Sequence, residues 1–79
     1  KYTLSAKFKR SSGFGDLYMY ASSNGKEYKQ KLSKADENWN NITVPNISIK
    51  NGHVEIGFFA NGKANAYCYI DDVTLIRSK

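Results

Sequence analysis

The run Tyr67-Cys68-Tyr69-Ile70-Asp71-Asp72-Val73-Thr74-Leu75-Ile76 is apolar and β-branched, and two adjacent carboxylates interrupt it. Neighbouring residues of a strand point to opposite faces, so this pair predicts one acid on each face of a sheet. A carboxylate directed inward needs backbone N–H groups, a base or a hard cation such as Ca²⁺. Asp71 and Asp72 are therefore the candidate metal ligands. The alternative is a plain edge strand with two solvated acids.

The second chemistry is that of aromatic rings. A ring laid against the apolar face of a pyranose holds it, while neighbouring polar groups bond its hydroxyls. The chain is 14% aromatic, and tyrosine, with six copies, dominates. Tyr18 and Tyr20 share one face of a strand pattern. If Leu17 and Met19 face the core, the two rings are presented outward about 7 Å apart. The reverse assignment would bury both tyrosines. Tyr67 lies where a loop enters a strand, and Asn65 beside it offers both donors and an acceptor. Trp39 is a ligand platform by residue type, yet a tryptophan at strand entry is expected to be buried. Phe59 joins the aromatic surface if it is exposed. Asn24, Glu27, Gln30, Asn61 and Lys63 are further hydrogen-bonding candidates that the sequence does not rank.

Nothing in the chain spells catalysis. The scattered carboxylates show no acid/base pairing. His53 has no nucleophile beside it. Gly13-Phe14-Gly15 lacks the helix and the basic residue of a phosphate loop. The single Cys68 excludes an internal disulfide and reads as a small buried hydrophobe.

Seventy-nine residues make one small domain with a marginal core. No apolar stretch approaches the length of a membrane span, and no signal-peptide pattern occurs. The style of the opening at Lys1 suggests a mature fragment or an excised module. The net charge of +5 permits anionic partners. However, Lys7, Lys9, Lys29 and Lys31 alternate with other residues as on a solvated strand face, and no nucleic acid is expected. A single-stranded nucleic-acid-binding module, with lysines and stacked rings tracking a strand, remains the rival.

Period-two alternation places strands over Tyr2–Phe8, Leu17–Ala21, Lys26–Leu32, Asn40–Val44, Val54–Phe59 and Tyr67–Arg77, with Ile47 and Ile49 resuming the pattern after Pro45. Asn24-Gly25 predicts a tight hairpin, and Asn51-Gly52 and Asn61-Gly62-Lys63 predict further turns. Pro45 should end or bulge its strand. The strand from Val54 looks central. Lys34-Ala35-Asp36-Glu37 has room for one helical turn and no more. Six or seven short strands predict an all-β antiparallel sandwich.

Several segments together resemble the C-terminal part of a galactose-binding-domain-like jelly roll, the carbohydrate-binding module type attached to secreted bacterial glycoside hydrolases such as endo-galactanases. The likeness runs through Tyr2-Thr3-Leu4-Ser5-Ala6, Leu17-Tyr18-Met19-Tyr20-Ala21, Trp39 with Ile42-Thr43-Val44, Gly52 with Val54-Glu55-Ile56-Gly57-Phe58, Ala64-Asn65-Ala66-Tyr67, and Tyr69-Ile70-Asp71-Asp72-Val73-Thr74-Leu75. It implies a non-catalytic, secreted or cell-surface bacterial module that holds a catalytic domain on a polysaccharide, a galactose-containing one by family likeness. It also implies Trp39 as a core anchor under a loop. A structural calcium near the last strand is implied too, shared with N-terminal residues that this sequence lacks. A purely structural accessory domain packed on a catalytic domain is a further reading.

Such modules begin with strands that have no counterpart here. The chain is thus expected to leave one sheet edge unpaired and an apolar patch open, and to self-associate or pair with a missing N-terminal half. Light scattering of the isolated chain tests this. Association is the expected result, and a monomer that melts cooperatively would contradict it.

Overall fold

The computed structural model describes residues 1–33, 38–49 and 52–77. Six strands follow one another: β1 (Tyr2–Arg10), β2 (Phe14–Ser23), β3 (Lys26–Lys31), β4 (Asn40–Ile47), β5 (Glu55–Gly62) and β6 (Cys68–Arg77). They form two three-stranded antiparallel sheets, ordered β4-β1-β6 and β3-β2-β5. The apolar faces of the two sheets share one core, an arrangement compatible with a β-sandwich. The expected helical turn at 34–37 and Asn51 of the expected turn lie outside the described residues.

The two central strands carry the core. Leu4, Ala6 and Phe8 of β1 and Leu17, Met19 and Ala21 of β2 are buried. Ile42, Val44 and Ile47 of β4 and Leu32 beyond β3 complete it. The β1 and β2 sets lie at period two, as alternation requires, and the β4 set does so up to Val44. Asn24 (φ 52°) and Gly25 (φ 80°) turn β2 into β3, both in the left-handed region that a two-residue hairpin demands. Ser23 opposes Lys26 across that turn.

Side chains tie the sheets together. The Arg10 guanidinium donates to the Leu32 carbonyl, and the Ser48 N–H donates to the Tyr28 hydroxyl at 3.3 Å. The buried Ser23 hydroxyl donates to the His53 carbonyl at 2.6 Å, anchoring the approach to β5.

Three register shifts depart from simple alternation; one gives β2 an extra residue at Gly15 against β5, and the other two redirect side chains of β4 and β6. Between the pairs Tyr2↔Ile47 and Leu4↔Val44, β4 carries one residue more than β1, at Pro45-Asn46, with Asn46 at φ 60°. Proline is tolerated there because β4 is an edge strand. Between Ser5↔Thr74 and Lys7↔Asp71, β6 likewise carries one extra residue, with Asp72 at φ 52°. This bulge changes the parity of β6. Ile70 opposes the buried Phe8 and Leu75 opposes the buried Leu4, although five positions separate them.

β5 is an edge strand, not a central one as its apolar run suggested. Ile56 and Phe58 face inward opposite Ala21 and Met19, yet both are exposed. No residue of β5 or β6 is fully buried, so the core thins toward the side where these two edges lie.

Truncating Met19 to Ala should destabilise the chain by about 2–5 kcal/mol, because a sealed site in a small core collapses poorly. Ser23→Ala should cost about 1 kcal/mol by removing the hydroxyl that donates to the His53 carbonyl. Urea unfolding of the two variants checks both.

Candidate functional site

With Leu17 and Met19 sealed in the core, Tyr18 and Tyr20 stand on the outer face of the β3-β2-β5 sheet. Phe59, directly opposite Tyr18 on β5, stands beside them. Tyr18 and Phe59 stack at 5.2 Å between centroids with 22° between their planes. Tyr18 meets Tyr20 edge-on at 6.3 Å and 63°. The Lys29 ammonium sits 4.9 Å from the centre of the Tyr18 ring. Tyr18 is therefore flanked by Phe59 and a lysine, while Phe59 and Tyr20 keep free surface.

Tyr20 owes its pose to the residue opposite it. Gly57 pairs with Tyr20, and a Cβ built at Gly57 would lie 2.6 Å from the Tyr20 hydroxyl oxygen. The phenol thus leans across β5 in the space where another residue's side chain would stand. Its hydroxyl donates to Glu55 Oε1 at 3.4 Å. Loss of hydration, followed by the Glu55 charge and this hydrogen bond, raises the Tyr20 pKa above the usual phenol value. The three rings form a corner, with Tyr20 leaning over the sheet and Tyr18 and Phe59 set against it. Asp16, Lys29, Gln30 and Lys31 line the open depression beside Tyr18.

A second aromatic group lies on the outer face of the other sheet. Tyr69 opposes Lys9 across the β1–β6 pair, and Tyr67 contacts Tyr69 at 5.4 Å. On the other flank, the Lys9 ammonium sits 5.3 Å over the Trp39 ring. Trp39 is 47% exposed and so is not the buried anchor that its strand-entry position implied. The reason is register: Asn40 opposes the buried Phe8, so the preceding residue falls on the outward parity.

The five residues proposed for ligand binding therefore do not form one site. Tyr18 and Tyr20 belong to one sheet, whereas Trp39 and Tyr67 belong to the face of the other. Asn65 is exposed in the turn before Tyr67 and lines a shallow groove with Ser11, Gly13 and Lys63. That turn is fixed by the Tyr67 N–H donating to Ser11 Oγ and the Lys63 N–H donating to the Gly13 carbonyl, both at 2.9 Å. Tyr69 and Lys9 were not singled out from sequence. The i, i+2 spacing of Tyr67 and Tyr69 was the available signal.

The acids of β6 also differ from expectation. Asp71 opposes the exposed Lys7, and Asp72 occupies the bulge, so neither points inward. Asp71 Oδ1 accepts the Asp72 N–H at 2.8 Å, and Lys7 Nζ lies 3.5 Å from Asp72 Oδ2. Among the described residues, no group of three or more His, Cys, Asp and Glu is placed to hold a metal. Calcium takes about six to eight oxygens, more than these two acids carry, so any such ion would need further ligands beside them. The half-buried Cys68 thiol is pushed up in pKa by burial, partly offset by Arg10. Among the described residues, no helix is long and apolar enough to cross a membrane.

No protein family, curated protein or solved structure was found to match this chain.

Glu55→Gln should lower the Tyr20 pKa toward the ordinary phenol value, read as an earlier midpoint in ultraviolet titration. Phenol ionisation at Tyr20 is disfavoured in the fold, so its contribution to stability is complete below pH 10. It is lost as pH rises through the raised pKa, and Glu55→Gln should lessen that loss.

Proposed function

We propose that this chain is a non-catalytic carbohydrate-binding β-module of the galactose-binding-domain-like jelly-roll type. It would hold an attached glycoside hydrolase on a galactose-containing polysaccharide outside the cell. The observation that carries the reading is the aromatic corner on the β3-β2-β5 sheet. Tyr20 leans across Gly57 with its outer side toward solvent, and Phe59 is 44% exposed. Sugar rings present an apolar face to such surfaces and hydroxyls to the charged groups around them. Lys29, Glu27 and Glu55 stand at that rim, and Lys29 already pairs with Glu27 at 3.7 Å. Support for the topology comes from the connections: β1 to β2, β3 to β4, β4 to β5 and β5 to β6 each pass between sheets.

A second reading, a structural accessory domain packed on a neighbour, is favoured by one observation. Ile56 and Phe58 face inward at the β5 edge yet stay 37% and 36% exposed. A covering partner would bury them.

Affinity electrophoresis in gels containing β-galactan tests the first reading. The chain should be retarded, and Tyr20→Ala or Phe59→Ala should weaken retardation about tenfold, the scale of one lost aromatic contact. Gly57→Val should do the same with little loss of stability, because valine suits a strand and displaces only the far end of the Tyr20 ring. No retardation in any gel would favour the accessory-domain reading. Binding that collapses between low and moderate salt would favour nucleic acid.

A further inference from the structure

We infer that the outer face of the β4-β1-β6 sheet is a second saccharide-binding surface, selective for oligosaccharides that carry a carboxylate. It rests on its own residues and does not require the β3-β2-β5 face to bind anything. Lys9 of β1 pairs with Tyr69 of β6, and Trp39, one residue before β4, holds its ring beneath the Lys9 ammonium, so the lysine is flanked by two rings. The backbones of β4 and β6, on either side of β1, lie two strand spacings apart, about 10 Å. That span suits two sugar rings seated at either end of a short oligosaccharide, with the intervening unit over Lys9. Tyr67, packed on Tyr69 at 5.4 Å, extends the platform at one end. Trp39, Tyr67 and Tyr69 are 47%, 41% and 57% exposed, unusual for large rings with no role in the core.

Lys9 sets the ligand class. Among the described residues it has no carboxylate partner, whereas Lys7 is held by Asp72. Its ammonium instead rests over the Trp39 ring at 5.3 Å. A cation–π contact at an exposed site is weak, on the order of 0.5–1 kcal/mol. A sugar carboxylate forms a stronger charge-assisted bond with that ammonium and frees the indole face for a pyranose. The row next along the sheet, Asn41, Lys7 and Asp71, offers donors and acceptors for hydroxyls. This face carries two aspartates beside its two lysines, a poor match for the continuous charge of a nucleic-acid backbone.

The test is affinity electrophoresis of the full chain against polygalacturonate, with β-galactan and oligo-dT as comparison probes. Polygalacturonate should retard the chain. Lys9→Gln should weaken that binding about tenfold, the value of one charge-assisted bond, and Lys9→Arg should retain it. Trp39→Ala and Tyr69→Ala should remove it while melting within a few degrees of the parent, since neither ring is part of the core. Tyr20→Ala should leave it unchanged. Equal retention of Lys9→Gln and the parent would overturn the proposal, as would loss of polygalacturonate binding in Tyr20→Ala. Tighter, steeply salt-dependent binding of oligo-dT through Lys9 would overturn it in favour of a nucleic-acid surface. Failure on galactan alone would count against the other sheet and leave this face standing.

Discussion

The structure depends on the burial of alternate residues along two central strands, β1 and β2. Leu4, Ala6 and Phe8 and their counterparts Leu17, Met19 and Ala21 are the residues that remove apolar area from water in the middle of each sheet. At roughly 25 cal/mol per Å² of apolar area, this burial is the main force a chain so small has. Once these six are inward, the intervening residues have no choice of direction. Tyr18 and Tyr20 become surface rings for the same reason that Lys7 and Lys9 become surface cations.

Bulges then correct what alternation alone would misplace. At Asp72 one extra residue with positive φ changes the parity of β6. Without it, aligning Ile70 with Phe8 would turn Leu75 outward, opposite to its observed pairing with Leu4. The bulge also spares the fold an inward carboxylate, which in so thin a core would have found neither water nor enough donors. At Pro45-Asn46 the extra residue accommodates a proline and still delivers Ile47 to the core.

The two sheets end in different environments. On one side, Tyr28, Ser48, Arg10 and Leu32 stitch the sheets together through hydrogen bonds. On the other, β5 and β6 contribute no fully buried residue and leave Ile56 and Phe58 part-covered. The outer faces are the better defined surfaces, each with a group of rings held in a fixed relation by cross-strand pairing. Gly57 makes one of these arrangements possible, because only the missing side chain lets Tyr20 lie across the neighbouring strand.

Much of this was legible in the residues themselves. Period-two patterning gave the strands, Asn24-Gly25 gave the hairpin, and the apolarity of Leu17 and Met19 gave the direction of Tyr18 and Tyr20. These are local properties, since adjacent side chains of a strand must diverge and a two-residue turn must have positive φ. Tertiary pairing alone decided the rest. It made β5 an edge strand, because strand order depends on which edges meet and not on how apolar a run is. It turned Asp71 and Asp72 outward, because the bulge at Asp72 arises from the mismatch of two strands and, unlike the one at Pro45, no proline marks it. It exposed Trp39, because the residue's face follows from the Asn40–Phe8 register. It also divided the proposed ring residues between two sheets, since alternation fixes the face of a strand but not the sheet to which the strand belongs.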